Sequence, residues 1–206
     1  MKIPGKEIRR MKTYRHFYAL IGILCLFVIV LGFMLWRSKQ VTPPAQPEAI
    51  PASRWVNQPL PDVQIMTQEG KDVSLSEFKG KPMVLMDWAS WCQYCQKAMP
   101  IMSKLYQTYH DDITFIFLNA TGSAQGKETR DRAANYRQQL TYEIPIYYDQ
   151  QMAAANQLQV TAVPTYFFID KKGMVKHVTT ADMTENDLES HILNLLPQQN
   201  KNSSLE

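Results

Sequence analysis

The apolar positions near the start of the chain form one uninterrupted run, because residues 17–36 include no charged side chain. As a helix, such a run would extend over roughly 30 Å, the thickness of the hydrocarbon core of a bilayer. Aromatic residues lie at both of its ends (Phe17, Tyr18 and Trp36), where interfacial rings are favoured. The pattern predicts a transmembrane helix over residues 17–36 that contacts the lipid bilayer.

The residues that flank this run predict its orientation. Residues 1–16 contain six basic side chains and one acidic side chain, and positive charge beside a membrane helix marks the cytoplasmic side. A cleaved signal peptide is the alternative, but the apolar run is longer than usual for such a peptide, and no small-x-small cleavage pattern follows Trp36. We therefore predict an uncleaved, single-pass signal-anchor in the cell membrane, with residues 1–16 in the cytoplasm and the part of the chain after the run extracytoplasmic.

After the apolar run the pattern changes to a proline-rich stretch and then to a domain. Residues 37–54 contain four prolines and no periodic apolar positions, which is typical of an extended, semi-rigid linker. Residues 198–206 are polar and are predicted to be a disordered tail. The segment between them, residues 55–197, has the size of one domain.

Within residues 55–197, short apolar runs alternate with segments of helical periodicity. Strands are predicted over residues 63–66, 83–88, 113–118, 144–148, 165–169 and 174–178. Helices are predicted over residues 92–109, 127–140, 151–158 and 184–197, and residues 74–77 have the pattern of a capping box. This alternation predicts an α/β fold, in which helices cover both faces of a mixed central sheet.

The charges and the cysteines exclude several classes of protein. The formal net charge of +3 originates near the N-terminus, since residues 55–206 contain 13 basic and 17 acidic side chains. A nucleic-acid-binding domain needs a basic surface, so no nucleic-acid partner is predicted. The 3 cysteines are too few for a disulfide-stapled miniprotein or for a zinc site of the four-cysteine type.

The strongest chemical signal is the pair Cys92 and Cys95, which lies in the sequence WCQYC between a predicted strand and a predicted helix. At a helix N-terminus the unpaired N–H groups and the dipole favour a thiolate at Cys92. Cys95 lies three residues further on, on the same helical face, so the two sulfur atoms can form a disulfide. Because a thiolate is the nucleophile of thiol–disulfide exchange, we predict that Cys92 attacks a partner and that Cys95 resolves the mixed disulfide.

Two other roles compete for the CxxC pair. It could be half of a metal site, but the chain has no second CxxC, and its histidines form no ligand-spaced cluster with the pair (His16, His110, His177 and His191). It could be a static disulfide, but closing so short a loop stabilises a fold only slightly. We therefore predict a redox-active pair in an extracytoplasmic domain, where disulfides occur, with no metal and no cofactor.

Four collinear stretches of the domain resemble a known family. They are residues 57–63 (NQPLPDV), 70–82 (GKDVSLSEFKGKP), 88–100 (WASWCQYCQKAMP) and 163–172 (VPTYFFIDKK). The chain is similar to membrane-anchored, thioredoxin-like thiol–disulfide oxidoreductases of the TlpA/ResA type. The resemblance implies a thioredoxin-like fold for residues 55–197, with the cysteine pair as its redox centre.

The resemblance also implies where a substrate binds. It implies a cis peptide between Val163 and Pro164 that faces the cysteine pair, whereas the alternative is a trans proline at the start of a strand. A proline has no N–H group, which would leave neighbouring backbone groups free to pair with a substrate. Trp91 and Tyr94 lie beside the nucleophile and suggest an apolar platform for an extended polypeptide. Trp91 is equally typical of a packing aromatic.

The chain departs from the family where an acid is usual. Thioredoxins have a buried acid six residues before the first cysteine, where this chain has Met86. Many TlpA/ResA-type sequences have a glutamate three residues after the second cysteine, where this chain has Ala98. Asp87 is one residue away from the first position, and adjacent strand residues face opposite sides of a sheet. We predict that Asp87 is either a proton relay that reaches Cys95 through water or a structural acid.

These residues predict an enzyme that exchanges disulfides with extracytoplasmic protein thiols. The resemblance implies a reductive direction, in which a membrane thiol-redox partner supplies electrons, as in cytochrome c maturation. Because both usual acids are missing, the formation of disulfides in secreted proteins is nearly as well supported.

Two further classes fit less well. A peroxiredoxin needs a threonine or serine three residues before its reactive cysteine, where this chain has Ala89, and a nearby arginine, which residues 55–129 lack. A copper chaperone of the type that serves cytochrome oxidase would need CxxxC and a distant histidine ligand. This chain has CxxC, and His177 lies in a predicted strand.

Overall fold

The computed structural model describes residues 18, 20–34, 51–122, 127–180 and 182–197. The chain divides into two units, Met1–Glu48 and Ala49–Glu206. In the first unit, residues 20–34 form a helix, α1. No helix in the described part of the chain is both long enough and apolar enough to cross a membrane.

Several predicted segments lie wholly or partly outside the described residues. They are the basic segment 1–16, both ends of the predicted membrane helix 17–36, most of the linker 37–54, and the whole of the tail 198–206. The membrane helix, its contact with the bilayer and the extracytoplasmic location of the domain therefore stay predictions.

The described residues of the second unit build a sheet of seven strands. In chain order the strands are β1 Gln64–Met66, β2 Asp72–Ser74, β3 Met83–Trp88, β4 Thr114–Asn119, β5 Ile146–Tyr148, β6 Thr165–Ile169 and β7 Val175–Thr179. The order across the sheet is β2-β1-β5-β4-β3-β6-β7. β4 pairs in parallel with β3 on one side and with β5 on the other, and the remaining pairings are antiparallel. The sheet is therefore mixed, as predicted.

Helices lie against both faces of this sheet. They are α2 Gln93–Tyr109, α3 Arg130–Arg137, α4 Ala153–Leu158 and α5 Glu185–Leu193, with short 3-10 turns at Pro51–Trp55, Leu75–Phe78 and Gln150–Met152. Capping boxes at Ser74 and at Thr184 hold both of their reciprocal hydrogen bonds. Each satisfies backbone N–H groups that would otherwise be unpaired, which explains why a 3-10 turn and α5 begin there.

The two faces of the sheet bury separate apolar clusters. The first, which we call the cysteine-side cluster, contains Val84, Met86 and Trp88 of β3, both cysteines of the CxxC pair, and residues of α2, α3 and α5. The second, which we call the far-side cluster, contains Met83 and Leu85 of β3 and residues of α4. Because successive strand residues point to opposite faces, β3 contributes to both clusters. All six of its residues are buried.

The structure confirms the predicted α/β class and changes some boundaries. Strand β2 was not predicted, because Val73 is its one buried residue and three residues give no apolar pattern. The helix predicted over residues 127–140 begins later, because the side chain of Thr129 caps it by accepting a hydrogen bond from the Arg132 N–H. The end of the predicted linker forms a 3-10 turn, and Ala52 in this turn is buried in the far-side cluster.

Candidate active site

Cys92 lies at the point where the central strand β3 gives way to helix α2. It is the N-cap residue of α2, and its sulfur accepts a hydrogen bond from the Cys95 N–H at 3.2 Å. The Cys92 Sγ also donates to the carbonyl oxygen of Val163, at 3.3 Å. Both cysteines are free thiols. The first thiol is therefore held between the start of a helix and the segment that leads into β6.

The two cysteines differ in access. The exposed fraction is 6% for Cys92 and 1% for Cys95, whereas it is 47% for Trp91 and 56% for Tyr94. The Nζ of Lys97 lies over the Tyr94 ring, 5.4 Å from its centroid. An incoming molecule would therefore meet two exposed aromatic rings and the edge of the Cys92 thiol, with Cys95 beneath them.

The peptide bond between Val163 and Pro164 is cis, as the resemblance implied. Pro164 is buried and directly precedes β6, which pairs with β3. The hydrogen bond from Cys92 to the Val163 carbonyl places this segment against the cysteine pair. The structure thus brings Cys92, Cys95, Val163 and Pro164 together, with Trp91 and Tyr94 exposed beside them in the sequence.

Burial controls the chemistry of Cys95. Burial raises the pKa of the Cys95 thiol far above its usual range, and hydrogen bonding with Cys92 raises it further. A backbone hydrogen bond with Ala89 acts in the opposite direction. A thiol with a raised pKa keeps its proton, and a protonated thiol is a poor nucleophile. Cys95 therefore needs stabilisation of its thiolate before it can attack a disulfide.

Neither position where the family usually has an acid supplies that stabilisation. Met86 and Ala98 are both buried in the cysteine-side cluster and carry no charge. The structure brings Asp87 to the other face of β3, on the side of Leu85 and the far-side cluster. Its role as a proton relay stays a prediction.

Asp87 is nevertheless an unusual group. It is fully buried, and neither of its carboxylate oxygens has a hydrogen-bond partner among the described residues. Burial, and then the nearby charge of Asp149, raise the pKa of Asp87 well above its ordinary value. Asp149 accepts hydrogen bonds from the Ala154 and Ala155 N–H groups, each at 2.8 Å. The neutral acid is therefore the stable form of Asp87.

A buried glutamate, which the sequence did not reveal, holds the turn before Cys92. Glu128 accepts hydrogen bonds from the N–H of Ser90 at 2.9 Å, from the Ser90 hydroxyl at 2.8 Å and from Asn119 Nδ2 at 3.0 Å. Gln96 Nε2 donates to the Ser90 carbonyl at 2.7 Å. Every polar group of Ser90 is thereby paired. An acid and a serine this far apart in the chain give no local signal of such a contact.

Two further polar groups of the cysteine-side cluster were also missed. Tyr166 and Trp88 are fully buried there, and neither the Tyr166 hydroxyl nor the Trp88 Nε1 has a hydrogen-bond partner among the described residues. The available signal was a tyrosine inside the apolar run that follows Pro164. Such a residue is usually read as a packing aromatic.

His177, the residue considered for a copper ligand, packs in a stack of rings. The rings of His177 and His191 lie 4.2 Å apart with an interplanar angle of 8°, and Phe168 lies next to both. Burial, and then the nearby His191, lower the pKa of His177. The described residues contain no group of three or more His, Cys, Asp or Glu side chains that could hold a metal ion.

Comparisons with known proteins find similar sequences over most of the domain. A family model described as Redoxin matches residues 55–196. The thiol-disulfide oxidoreductase ResA of Geobacillus thermodenitrificans is 30% identical over 142 residues, which cover 69% of this chain and 79% of that protein. The thioredoxin-like protein YneN of Bacillus subtilis is 33% identical over 135 residues, which cover 66% of this chain and 77% of that protein.

A solved structure supports the fold independently. The crystal structure of a thiol:disulfide interchange protein of the thioredoxin family from Chlorobium tepidum covers 68% of this chain and 96% of its own, with a TM-score of 0.57 and 24% identity. The fold of the domain is therefore thioredoxin-like, as the motifs predicted.

Proposed function

This chain is a thiol–disulfide oxidoreductase of the Redoxin family and of the TlpA/ResA type, and we propose that it exchanges disulfides with protein substrates through Cys92 and Cys95. The observation that carries the proposal is the setting of the Cys92 thiol. It caps the start of α2, contacts the Cys95 N–H and faces the Val163 carbonyl, so nucleophile, resolving thiol and substrate-facing segment meet at one place.

The proposed exchange takes two steps. In the reductive direction the Cys92 thiolate attacks a substrate disulfide, a Cys92–substrate S–S bond forms, and the leaving substrate sulfur takes the electron pair and a proton. The Cys95 thiolate then attacks Cys92 Sγ, the Cys92–Cys95 disulfide closes, and the second substrate sulfur leaves and is protonated. The substrate gains two electrons and two protons in total. The oxidative direction is the reverse of these steps.

We propose that the substrate is an extended segment of a polypeptide. The exposed rings of Trp91 and Tyr94 beside a nearly buried thiol support this assignment, because apolar surface next to a reactive group favours unfolded or flexible chains over small polar disulfides. Such a segment would lie across the two rings and along residues Val163 and Pro164. Each contact would bring a substrate sulfur towards Cys92.

The location and direction of the reaction are part of the same proposal. We propose that residues 17–36 tether the enzyme to the cell membrane and that the catalytic domain is extracytoplasmic, which the uncharged run and the basic segment before it support. In this setting a membrane thiol-redox partner would reduce the Cys92–Cys95 disulfide, and the enzyme would reduce protein disulfides. The alternative direction is disulfide formation in secreted proteins.

The reduction potential of the Cys92–Cys95 pair tests both the activity and its direction. The full chain carrying Cys25→Ser is equilibrated with a glutathione or dithiothreitol series, and the two thiols are followed by alkylation. A value near that of thioredoxin, about −270 mV, supports the reductive direction, and a value near about −120 mV supports the oxidative direction. Failure to form a reversible Cys92–Cys95 disulfide would contradict the proposed reaction itself.

A separate experiment tests the location. Intact cells that produce the chain are reduced mildly and treated with a membrane-impermeant maleimide, with Cys25→Ser removing the third thiol. Modification of Cys92 in intact cells is expected for an extracytoplasmic domain. Modification that requires cell lysis would contradict this location while leaving the chemistry unaffected.

A further inference from the structure

Tyr166 occupies a specific place relative to the missing acid. It lies two residues after Pro164 on β6, and the antiparallel register of β6 with β3 pairs it directly with Met86. Directly paired residues of neighbouring strands place their side chains on the same face of the sheet. Tyr166 therefore shares the cysteine-side cluster with Cys92 and Cys95.

The hydroxyl of Tyr166 makes no hydrogen bond within the described part of the fold. The residue is fully buried, and its oxygen has no hydrogen-bond partner among the described residues. Most buried polar groups are paired, because an unpaired group has lost its contacts with water. An unpaired hydroxyl in the same buried cluster as the two thiols is therefore available to a group that becomes charged there.

Cys95 is the group that needs such a partner. Its thiolate must form inside an apolar cluster in which Met86 and Ala98 offer no charge and no hydrogen bond. Burial contributes most to the raised pKa of Tyr166, and the charges of Cys95, Asp182 and Cys92 contribute after it, so the phenol is within electrostatic range of both sulfurs.

The other polar groups around Cys95 are less suited to this task. Tyr136 of α3 already donates its hydroxyl to the Gln96 carbonyl, at 3.3 Å. Asp87 lies on the opposite face of β3 from Met86, and its charge contributes to raising the pKa of Cys95, so an anionic Asp87 would disfavour the thiolate. The Trp88 Nε1 is also unpaired, but an indole N–H is less acidic than a phenol O–H and is therefore the weaker donor to a thiolate.

We propose that Tyr166 donates a hydrogen bond to the Cys95 thiolate and so stabilises it for the resolving step. This inference rests on the proposed function, since it names a further residue for the same reaction. Cys95 loses its proton to solvent, the Tyr166 O–H donates to the sulfur anion, and the anion attacks Cys92 Sγ. The electron pair leaves with the substrate sulfur, and the hydrogen bond ends when the Cys92–Cys95 bond forms.

A two-phase release of thionitrobenzoate tests the proposal. The reduced full chain carrying Cys25→Ser is mixed with 5,5′-dithiobis(2-nitrobenzoic acid), so that attack by Cys92 releases the first thionitrobenzoate and resolution by Cys95 releases the second. In Tyr166→Phe the first phase is expected to keep its rate, and the second to slow roughly tenfold, because a hydrogen bond to a charged group is lost. The pH midpoint of the second phase is expected to rise.

A matched variant and a stability measurement separate this role from a structural one. Tyr147→Phe removes a half-buried phenol that packs against the far-side cluster, and both phases are expected to keep their rates. Tyr166→Phe is expected to melt at or above the temperature of the parent chain, because its hydroxyl has no partner to lose.

Each contrary result has a distinct meaning. An unchanged second phase in Tyr166→Phe would overturn the proposal, and so would Asp87→Asn slowing that phase while Tyr166→Phe does not. A parent chain that shows no second phase would instead contradict the proposed Cys92–Cys95 reaction. The two failures are therefore distinguishable.

Discussion

Glu128 accepts two hydrogen bonds from Ser90, one from its backbone N–H at 2.9 Å and one from its hydroxyl at 2.8 Å. This contact ties the segment before α3 to the turn that carries Trp91 and Cys92. The carboxylate is buried and is held by neutral donors, with Asn119 as the third. The turn before Cys92 is therefore held by residues outside its own strand and helix.

We expect Glu128→Ala to destabilise the domain and to disorder this turn. It leaves both Ser90 donors unpaired and removes the shorter of the two hydrogen bonds of Asn119 Nδ2, which costs about 1–3 kcal/mol in the free energy of unfolding. Urea unfolding measures this loss, and the rate of Cys92 alkylation reports on the turn. Glu143→Ala is the matched control, since Glu143 is exposed and pairs with Arg137 on the surface. An equal loss of stability in both variants would contradict the conclusion that Glu128 holds the turn before Cys92.

The roles of the two cysteines predict which variant captures substrates. Cys95→Ala keeps the attacking thiol and loses the resolving thiol, so we expect it to accumulate mixed disulfides between Cys92 and its native partners. Non-reducing gels of the captured complexes, followed by reduction, measure this. Cys92→Ala is the control and should capture far less. If Cys92→Ala captured the same partners instead, the two roles would be assigned wrongly.

Trp91 and Tyr94 should contribute more to the reaction with polypeptide disulfides than to the reaction with small disulfides. We expect Trp91→Ala and Tyr94→Ala each to lower kcat/KM for a disulfide-bonded unfolded polypeptide roughly tenfold, because apolar contact area is lost. Their rates with a small aromatic-free disulfide such as oxidised dithiothreitol should change much less. Tyr142→Ala, at another exposed tyrosine, serves as the control. Equal losses for both substrates would argue against a polypeptide platform.

Asp87 should make the domain less stable as the pH rises. Its pKa is raised in the folded state, so between its unfolded and folded pKa values the folded protein binds more protons than the unfolded chain. The free energy of unfolding therefore falls as the pH rises through that window, above about pH 4. Asp87→Asn removes the titration and should flatten this dependence, raising stability at neutral pH. Urea unfolding at a series of pH values measures the effect.

Asp62 serves as a control, because its titration should change the stability with pH in the opposite direction to that of Asp87. Hydrogen bonding with Ser74 lowers the pKa of Asp62, although burial opposes the shift. Its contribution is therefore present above the unfolded pKa and is lost as the pH falls through the lower, folded value. Asp62→Asn should therefore lower the free energy of unfolding above the unfolded pKa of this carboxyl and leave it unchanged below the folded pKa.

For Asp87, the contrary result would be a loss of stability at neutral pH in Asp87→Asn, which would contradict the neutral form of the buried acid.

Features that depend on neighbouring residues could be predicted from the chain alone. The extents of β3 and β6 followed from their apolar runs, and the capping box at Ser74 followed from residues three positions apart. The CxxC pair, and the implied cis bond before Pro164, also lie in short motifs. Helical and strand periodicities and caps involve residues within about four positions of one another, so a local pattern contains them.

Relationships between residues distant in the chain are visible only in the folded domain. The order of the strands places β5 between β1 and β4, and the register of β6 against β3 pairs Tyr166 with Met86. Glu128 reaches Ser90 across 38 positions of the chain. A local pattern does not show which strands become neighbours or which donors a buried acid binds. These contacts depend on the packing and the strand register of the whole domain. The cysteine pair could therefore be predicted from the sequence, whereas the contact of Glu128 with Ser90 and the pairing of Tyr166 with Met86 could not.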